Sequence, residues 1–158
     1  MTENFVEMEL REIQIVEDFS RSQIIVLGEK EGERAFPIFI GLNEAMAMDL
    51  AARGERTPRP LTHDLVLNVV RGVGATLERV LVLKLENDTF YGALELRTAD
   101  GGTVRIDSRP SDAIVLATKV HAAIFVEEKV LSEVQRAADS GVAEDDDPVG
   151  DPDEDSPF

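Results

Sequence analysis

The chain has 158 residues, a formal net charge of −16 and no cysteine. The lack of cysteine excludes disulfides and thiolate metal sites, and no apolar run approaches the roughly 18 residues of a membrane span. Acidic residues near the N-terminus also argue against a signal peptide. We therefore expect a soluble, cytoplasmic, single-domain protein without membrane contact.

The acidic residues are concentrated at the C-terminus. Residues 137–158 contain nine acidic residues and no lysine or arginine, whereas residues 1–136 carry 23 acidic and 16 basic residues. Because the Asp-, Pro- and Gly-rich end cannot bury a core, we expect one domain over 1–136 and a disordered acidic tail over 137–158. The domain itself remains negative, so a polyanionic partner requires locally focused positive charge or a metal ion.

The first third of the chain predicts three strands and a helix. Alternating apolar residues over 8–15 indicate the first strand. The segments 23–27 and 35–40 predict the second and third strands, on either side of a polar turn that contains Gly32. A helix is predicted over 43–52.

A separate helix is predicted from the segment PRPLTHDLVLNVVRGVG at 58–74. Thr62 is a suitable N-cap residue, and Gly72 or Gly74 is suited to end the helix. The apolar spacing predicts one buried face. That face consists of Leu65, Val66, Val69, Val70 and Val73.

The chain then repeats its first pattern with an offset of 68 positions. Strands are predicted over 89–96 and 103–107, a helix over 111–120, and the helix start SDAIVL aligns with NEAMAM of the first copy. A short strand (122–126) and the amphipathic segment EEKVLSEVQRAA follow. The sequence thus predicts an internally duplicated α+β fold. It comprises two β-β-β-α units (about 8–52 and 76–120), an intervening helix and a C-terminal helix.

The segment IDSRPSDAI at 106–114 combines two carboxylates with one guanidinium across a turn. Asp107 at a strand end and Asp112 in a first helical turn would converge and hold a hard divalent cation, while Arg109 clamps a phosphate. The alternative is local: Ser111 caps the helix and Asp112 interacts with its dipole. Capping is the favoured interpretation for Ser111, but it leaves Asp107 and Arg109 unexplained.

Two further segments carry candidate functional groups. His63 and Asp64 lie in a predicted first helical turn, where the helix dipole favours a neutral imidazole that acts as a base or a ligand. A surface histidine is the alternative, and His121 is interpreted as a complement to a helix C-terminus. The loop RGERTPRP supplies three arginines that either follow a nucleic-acid backbone or remain solvated. They are Arg53, Arg56 and Arg59.

Five segments in this order and spacing resemble the bifunctional nuclease domain family. They are FPIFIGLNEAMAMDL, RPLTHDLVLNVV, DTFYGALEL, DSRPSDAIVLA and AAIFVEEKVL, and they cover roughly residues 6–132. The resemblance implies a duplicated α+β domain that assembles as a homo-oligomer and cleaves both DNA and RNA. The positions that match the family's motifs are Glu44, His63, Asp64, Asp107, Arg109, Ser111 and Asp112.

The resulting hypothesis is that the protein is a nuclease that cleaves single-stranded DNA or RNA with little sequence preference. We expect it to assemble as a homo-oligomer, most simply as a dimer. His63, Asp64, Asp107, Arg109 and Asp112 are the candidate catalytic residues. Glu44, Asp107 and Asp112 are the candidate ligands of Mg²⁺ or Mn²⁺, with His63 as general base or acid. The alternative is a non-catalytic regulatory module that binds a small anion or a partner protein. A further hypothesis is that the acidic tail occludes a basic site by mimicking nucleic acid.

Overall fold

A computed structural model of the protein describes residues 3–18 and 20–141. It contains a seven-stranded sheet and four α-helices in this part of the chain. The strands are β1 (Phe5–Gln14), β2 (Gln23–Glu29), β3 (Ala35–Ile40), β4 (Thr76–Glu86), β5 (Thr89–Arg97), β6 (Thr103–Ser108) and β7 (Ala123–Glu127). The helices are α1 (Leu42–Arg53), α2 (Thr62–Gly72), α3 (Pro110–Val120) and α4 (Glu128–Gly141).

The sheet joins two antiparallel three-stranded meanders through the short strand β7. The strand order is β3-β2-β1-β7-β4-β5-β6, with β7 antiparallel to β1 and parallel to β4. Each meander continues into a helix, α1 in the first half and α3 in the second. The α+β class is therefore confirmed, and the two β-β-β-α units occur in the predicted order, whereas their origin by internal duplication stays a prediction.

The core lies where α1 and α3 cover the sheet. Seven residues of α3 are buried, from Pro110 to Ala117, and Ala45 and Met48 bring α1 into the same apolar cluster. Residues with alternate spacing on β2 and β4 complete that cluster from the sheet, as the strand pleat requires. This packing fixes the N-terminal ends of α1 and α3 beside each other.

Helix α2 differs from its prediction in both its start and its buried face. Thr62 is the first helical residue, and the N-cap position belongs to Leu61, whose N–H donates to the Asp64 carboxylate. Leu67 and Val70 are buried, with Val66 partly buried, so part of the predicted face is correct. The predicted Leu65, Val69 and Val73 are exposed, and together with Leu61 they form an apolar stripe on the outside of the helix.

The start of α3 also differs from its prediction. Arg109 occupies the N-cap position in an extended conformation, and Pro110 is the first helical residue. A residue before proline is pushed towards extended backbone, and proline suits the first helical position because it has no N–H to satisfy. Ser111 therefore lies inside the first turn and is buried, so the prediction that it caps the helix is wrong.

The predicted boundary of the acidic tail lies within α4. This helix continues to Gly141, so residues 137–141 are helical instead of belonging to a disordered segment. The rest of the predicted tail, 142–158, lies outside the described residues. No helix in the described part of the chain combines the length and the apolar character needed to cross a membrane.

Candidate functional site

The first turns of α1, α2 and α3 meet at one cleft of about 1010 Å³. Each of these helices places an acidic residue at its third position: Glu44 in α1, Asp64 in α2 and Asp112 in α3. An acid at this position interacts favourably with the positive end of the helix dipole. The same preference on three helices thus brings three carboxylates and His63 to one cleft.

A continuous chain of hydrogen bonds links four side chains from the three helix starts. His63 Nε2 lies 2.8 Å from Asp112 Oδ1. Arg109 donates its Nε–H to Asp112 Oδ2 at 2.8 Å and an Nη2–H to Glu44 Oε1 at 3.2 Å. Asp112 is therefore the central acceptor, with one oxygen for the imidazole and the other for the guanidinium. We call His63, Asp112, Arg109 and Glu44 the polar chain.

Arg109 is the exposed member of the polar chain, since the Glu44 side chain is only 22% exposed. The His63 side chain is 16% exposed and Asp112 29%, whereas Arg109 is 64% exposed. Burial, the largest single influence, raises the pKa of Asp112, but the hydrogen bonds from Arg109 and His63 outweigh it, so the pKa lies below its ordinary value. Asp112 is thus held as a carboxylate that orients a histidine.

His63 keeps one ring nitrogen available for proton transfer. Among the described residues its only side-chain hydrogen bond is that from Nε2 to Asp112. In the neutral tautomer with the proton on Nε2, the imidazole donates to Asp112 and Nδ1 carries the free lone pair. A carboxylate that fixes the tautomer and orientation of an imidazole is the arrangement used for general base catalysis.

Asp64 binds elsewhere in the same cleft. One of its oxygens accepts the Leu61 N–H at 2.9 Å and the other pairs with Lys119 Nζ at 2.9 Å. The hydrogen bond from Lys119, followed by that from Leu61, lowers the pKa of Asp64. These contacts place Asp64 as a positioning residue that fixes the start of α2, and hence His63, against α3.

Asp107 borders the cleft, but its carboxylate is not brought to Asp112. The register pairs Asp107 with Ala93, Ile106 with Leu94 and Arg105 with Glu95. Because alternate residues of a strand point to opposite faces, Asp107 shares the face of Arg105, whereas Ile106 and Leu94 face the cleft. The negative charge of Asp107 acts on Lys84 of β4 on that other face. The expected convergence of Asp107 and Asp112 is therefore wrong.

The predicted metal ligands do not fit a divalent ion in this arrangement. Asp107 faces away, both oxygens of Asp112 already accept hydrogen bonds, and Glu44 accepts one from the same guanidinium. Within residues 3–18 and 20–141, no group of three or more His, Asp or Glu side chains is arranged to hold an ion. The prediction of Mg²⁺ or Mn²⁺ thus requires Arg109 to move aside first.

Two features of the site escape sequence reasoning. Lys119 reaches the cleft from the last turn of α3, and only 18% of its side chain is exposed. In the sequence, a lysine at this position indicates only a favourable interaction with the C-terminal end of the helix dipole. The direct contact between His63 and Asp112 spans 49 residues. No local pattern reports such a contact, although an acid at the third position of successive helices is visible in the sequence.

The fold and the site together define an α+β domain whose cleft carries a carboxylate-oriented histidine beside an exposed arginine. The family model of the bifunctional nuclease domain matches residues 25–139. The chain belongs to the bifunctional nuclease domain family.

Similar proteins come from bacteria and plants. An uncharacterized protein of Mycobacterium tuberculosis is 36% identical over 118 residues, which cover 75% of this chain and 70% of that protein. Bifunctional nuclease 1 of Oryza sativa subsp. indica is 26% identical over 116 residues, as is the bifunctional nuclease of Oryza minuta. Those alignments cover 72% of this chain but 35% of each rice protein, so this chain corresponds to about a third of their length.

Proposed function

We propose that this protein is a nuclease that hydrolyses phosphodiester bonds of single-stranded DNA and RNA with little sequence preference. The observation that carries the proposal is the hydrogen-bonded series His63–Asp112–Arg109 in an open cleft. Membership of the bifunctional nuclease domain family and the similarity to rice proteins named as bifunctional nucleases support the same activity.

In the proposed reaction His63 acts as the general base. Its Nδ1 takes a proton from a water molecule as the water oxygen attacks phosphorus. The bond between phosphorus and the departing sugar oxygen breaks, this oxygen takes a proton from solvent water, and His63 then returns its own proton to solvent. Asp112 holds the imidazole and stabilises the positive charge that it acquires. His63 therefore uses Nε2 for its contact with Asp112 and keeps Nδ1 for the water molecule.

Arg109 is suited to bind the phosphate and stabilise its developing charge. A guanidinium has five N–H donors, and the contacts with Asp112 and Glu44 use two of them. The remaining donors belong to a side chain that is 64% exposed. Three helix N-termini at the same cleft add positive dipole ends, which favour a phosphate in a protein that is otherwise negative.

The activity is tested with fluorescent single-stranded DNA and RNA oligonucleotides and the purified chain. We expect cleavage by the wild type and a loss of at least about 30-fold in kcat for Arg109→Ala, because charge stabilisation at phosphate contributes strongly to such reactions. Arg21→Ala is the matched control, since Arg21 is an exposed arginine that pairs with Asp18 and does not line the cleft. Equal rates for wild type and Arg109→Ala would contradict the proposed role.

Metal assistance stays a separate part of the proposal. Mg²⁺ or Mn²⁺ would supply charge stabilisation and a more acidic bound water, and Glu44 and Asp112 are the carboxylates that a displaced Arg109 would free. Cleavage measured with EDTA, and then with added Mg²⁺ or Mn²⁺, tests this part. Unchanged rates in EDTA would refute metal assistance while leaving the histidine mechanism in place.

The alternative of a regulatory module is supported by the closed pairing of the polar chain. Every carboxylate in it already has a cationic or imidazole partner, as in a stable anion-binding or structural site. This alternative expects specific anion binding at Arg109 without turnover. Cleavage that is lost in Arg109→Ala and retained in Arg21→Ala would rule it out.

We further propose that the protein forms a homo-oligomer, with a dimer favoured, through the apolar stripe of α2. Leu65 and Val69 are each 56% exposed, and Leu61 and Val73 extend the stripe along the helix. A second copy of the same helix would cover these side chains and remove apolar area from water. Light scattering should show an oligomer for the wild type and a smaller species for Leu65→Glu/Val69→Glu. A monomeric wild type would contradict this proposal.

A further inference from the structure

Most lysines and arginines of this protein are neutralised by carboxylates. Within residues 3–18 and 20–141, eleven of the sixteen form an ion pair with Asp or Glu. The five that pair with no carboxylate of the described residues are Arg56, Arg59, Arg71, Lys129 and Arg136. Because the chain is strongly acidic, these are the cations whose charge is least compensated locally.

Two of the unpaired cations, Arg56 and Arg71, line a second cleft of about 1080 Å³. Three carboxylates also line this cleft: Asp64 pairs with Lys119 and Glu78 with Arg97, whereas Glu55 shares Arg53 with Asp49. Arg56 and Arg71 are therefore the cations of the second cleft that pair with no carboxylate of the described residues.

The second cleft adjoins the cleft that holds the polar chain. Both are lined by Glu55, Thr57, Pro60, Asp64 and Lys119. The ion pair between Asp64 and Lys119 thus stands at the boundary between them. Helix α2 forms a wall of both clefts, with His63 in its first turn and Arg71 in its last.

The dimensions suit a short stretch of polynucleotide. Eight residues separate His63 from Arg71, or about 12 Å along the helix at 1.5 Å per residue. Phosphates are about 3.4 Å apart along the axis of one strand of B-DNA, and farther apart in an extended strand. The two clefts together therefore span a few nucleotides.

The walls of the groove favour unpaired bases over a duplex. Apolar side chains line both parts, among them Val66 and Ile106 beside the polar chain and Pro58 and Val120 in the second cleft. Unpaired bases can rest against such surfaces, whereas a duplex keeps its base faces stacked inside. The arginine side chains, in turn, match phosphate geometry.

Arg71 is held in position for this contact. Its Nε–H donates to the Leu67 carbonyl oxygen and an Nη2–H donates to Asn68 Oδ1. These bonds fix the guanidinium against the last turn of α2 and leave its other donors for a ligand. Arg56 belongs to the connection between α1 and α2 and lines the same cleft.

We propose that the second cleft is a binding track for the backbone of single-stranded nucleic acid, with Arg56 and Arg71 as phosphate contacts that guide the strand to the polar chain. The inference rests on the proposed nuclease function for what happens at the polar chain. Arg56 and Arg71 would then set the preference for longer strands and for single strands, although neither takes part in the cleavage step.

Binding of a fluorescent 12-nucleotide single strand to the full chain tests the track. All binding proteins carry His63→Ala so that the oligonucleotide stays intact, and affinity is measured over a range of salt concentrations. Arg56→Ala/Arg71→Ala should weaken binding about tenfold or more. It should also reduce the slope of log affinity against log salt by about 1.4, since each single-strand phosphate contact contributes about 0.7. Lys129→Ala/Arg136→Ala is the matched control, because it removes two unpaired exposed cations of α4.

The outcomes separate this inference from the proposed function. Equal losses in the two double variants, an unchanged salt slope, or tighter binding of a hairpin duplex than of the single strand would overturn the track. With His63 intact, Arg56→Ala/Arg71→Ala should raise KM for the 12-nucleotide strand and leave kcat/KM for a dinucleotide unchanged. Binding and slope as expected, without cleavage by the wild type, would overturn the nuclease proposal and leave the track standing.

Discussion

Two carboxylates on opposite faces of the sheet each bind two basic side chains, but their surroundings differ in solvent exposure. Asp112 in the cleft is bonded to His63 and Arg109, and Glu95 on the other face of the sheet is bonded to Arg79 and Arg105. The Glu95 side chain is 10% exposed, compared with 29% for Asp112.

The environment of Glu95 is closed by further contacts. The Arg79 guanidinium lies 5.2 Å from the Phe5 ring centroid and 5.3 Å from that of Phe125, and Arg105 is also paired with Glu3. At Asp112 no aromatic ring of residues 3–18 or 20–141 covers the exposed Arg109, and the cleft is open. The comparison teaches that a doubly bonded carboxylate stabilises the fold where its partners are covered and can serve chemistry where they are not.

Loss of the histidine should produce the largest effect. We expect His63→Gln to lower kcat by about 100-fold or more, because general base catalysis contributes about 10² to 10⁴. The measurement is single-turnover cleavage of a single-stranded oligonucleotide. His121→Asn is the control at saturating enzyme, since His121 is exposed, lines the second cleft without belonging to the polar chain, and has a positive φ that Asn tolerates. Similar losses of kcat in His63→Gln and His121→Asn would contradict the assignment of general base catalysis to His63.

Loss of the covered carboxylate should appear in stability. We expect Glu95→Gln to lower the free energy of unfolding by about 2–3 kcal/mol, since it leaves two partly buried guanidinium groups without their carboxylate. Urea denaturation measures this. Glu86→Gln, which breaks an exposed pair with Lys84, should cost less than about 1 kcal/mol. Equal costs would show that the covered cluster gives no special stability.

The same cluster predicts a pH dependence. The hydrogen bond from Arg79 is the largest influence on Glu95 and lowers its pKa, so the folded-state pKa lies below the unfolded value of about 4.3. The stabilisation is fully present above that value and is lost as the pH falls through the folded-state pKa. Urea denaturation at pH 6 and pH 3.5 should therefore show a larger loss for wild type than for Glu95→Gln. Identical losses would contradict the assignment.

The positioning role of Asp64 should produce the smallest effect. Asp64→Asn keeps an oxygen for the Leu61 N–H but removes the pair with Lys119, so we expect a loss of about 1 kcal/mol in unfolding free energy. The cleavage rate should fall by less than tenfold, because His63 and Asp112 remain. A loss as large as that of His63→Gln would make Asp64 a catalytic residue in its own right.

The strands were the most predictable part of the fold. The segment 35–40 was predicted as a strand and forms β3 with the same bounds, because a short apolar run after a polar turn is typical of a strand. The face of α2 was less predictable, since its apolar residues surround most of the helix. The fold buries the face with Leu67 and leaves Leu65 and Val69 exposed.

The site was predictable in its residues and less so in its geometry. His63, Arg109 and Asp112 were predicted as catalytic residues, and the structure joins them by direct contacts. Asp107 was expected to converge with Asp112 because it is close in sequence. The structure differs because the register of β6 against β5 places the Asp107 side chain on the opposite face of the sheet. A pleat is fixed only once a strand has a partner, which a single sequence does not specify.

The most direct test compares the two doubly bonded carboxylates in one assay. Single-turnover cleavage of a single-stranded oligonucleotide is measured for wild type, Asp112→Asn and Glu95→Gln at a temperature where circular dichroism shows all three folded. We predict a loss of about 100-fold or more for Asp112→Asn and a change of less than about threefold for Glu95→Gln. Full activity in Asp112→Asn, or equal losses in both variants, would contradict the assignment of catalysis to the open cleft.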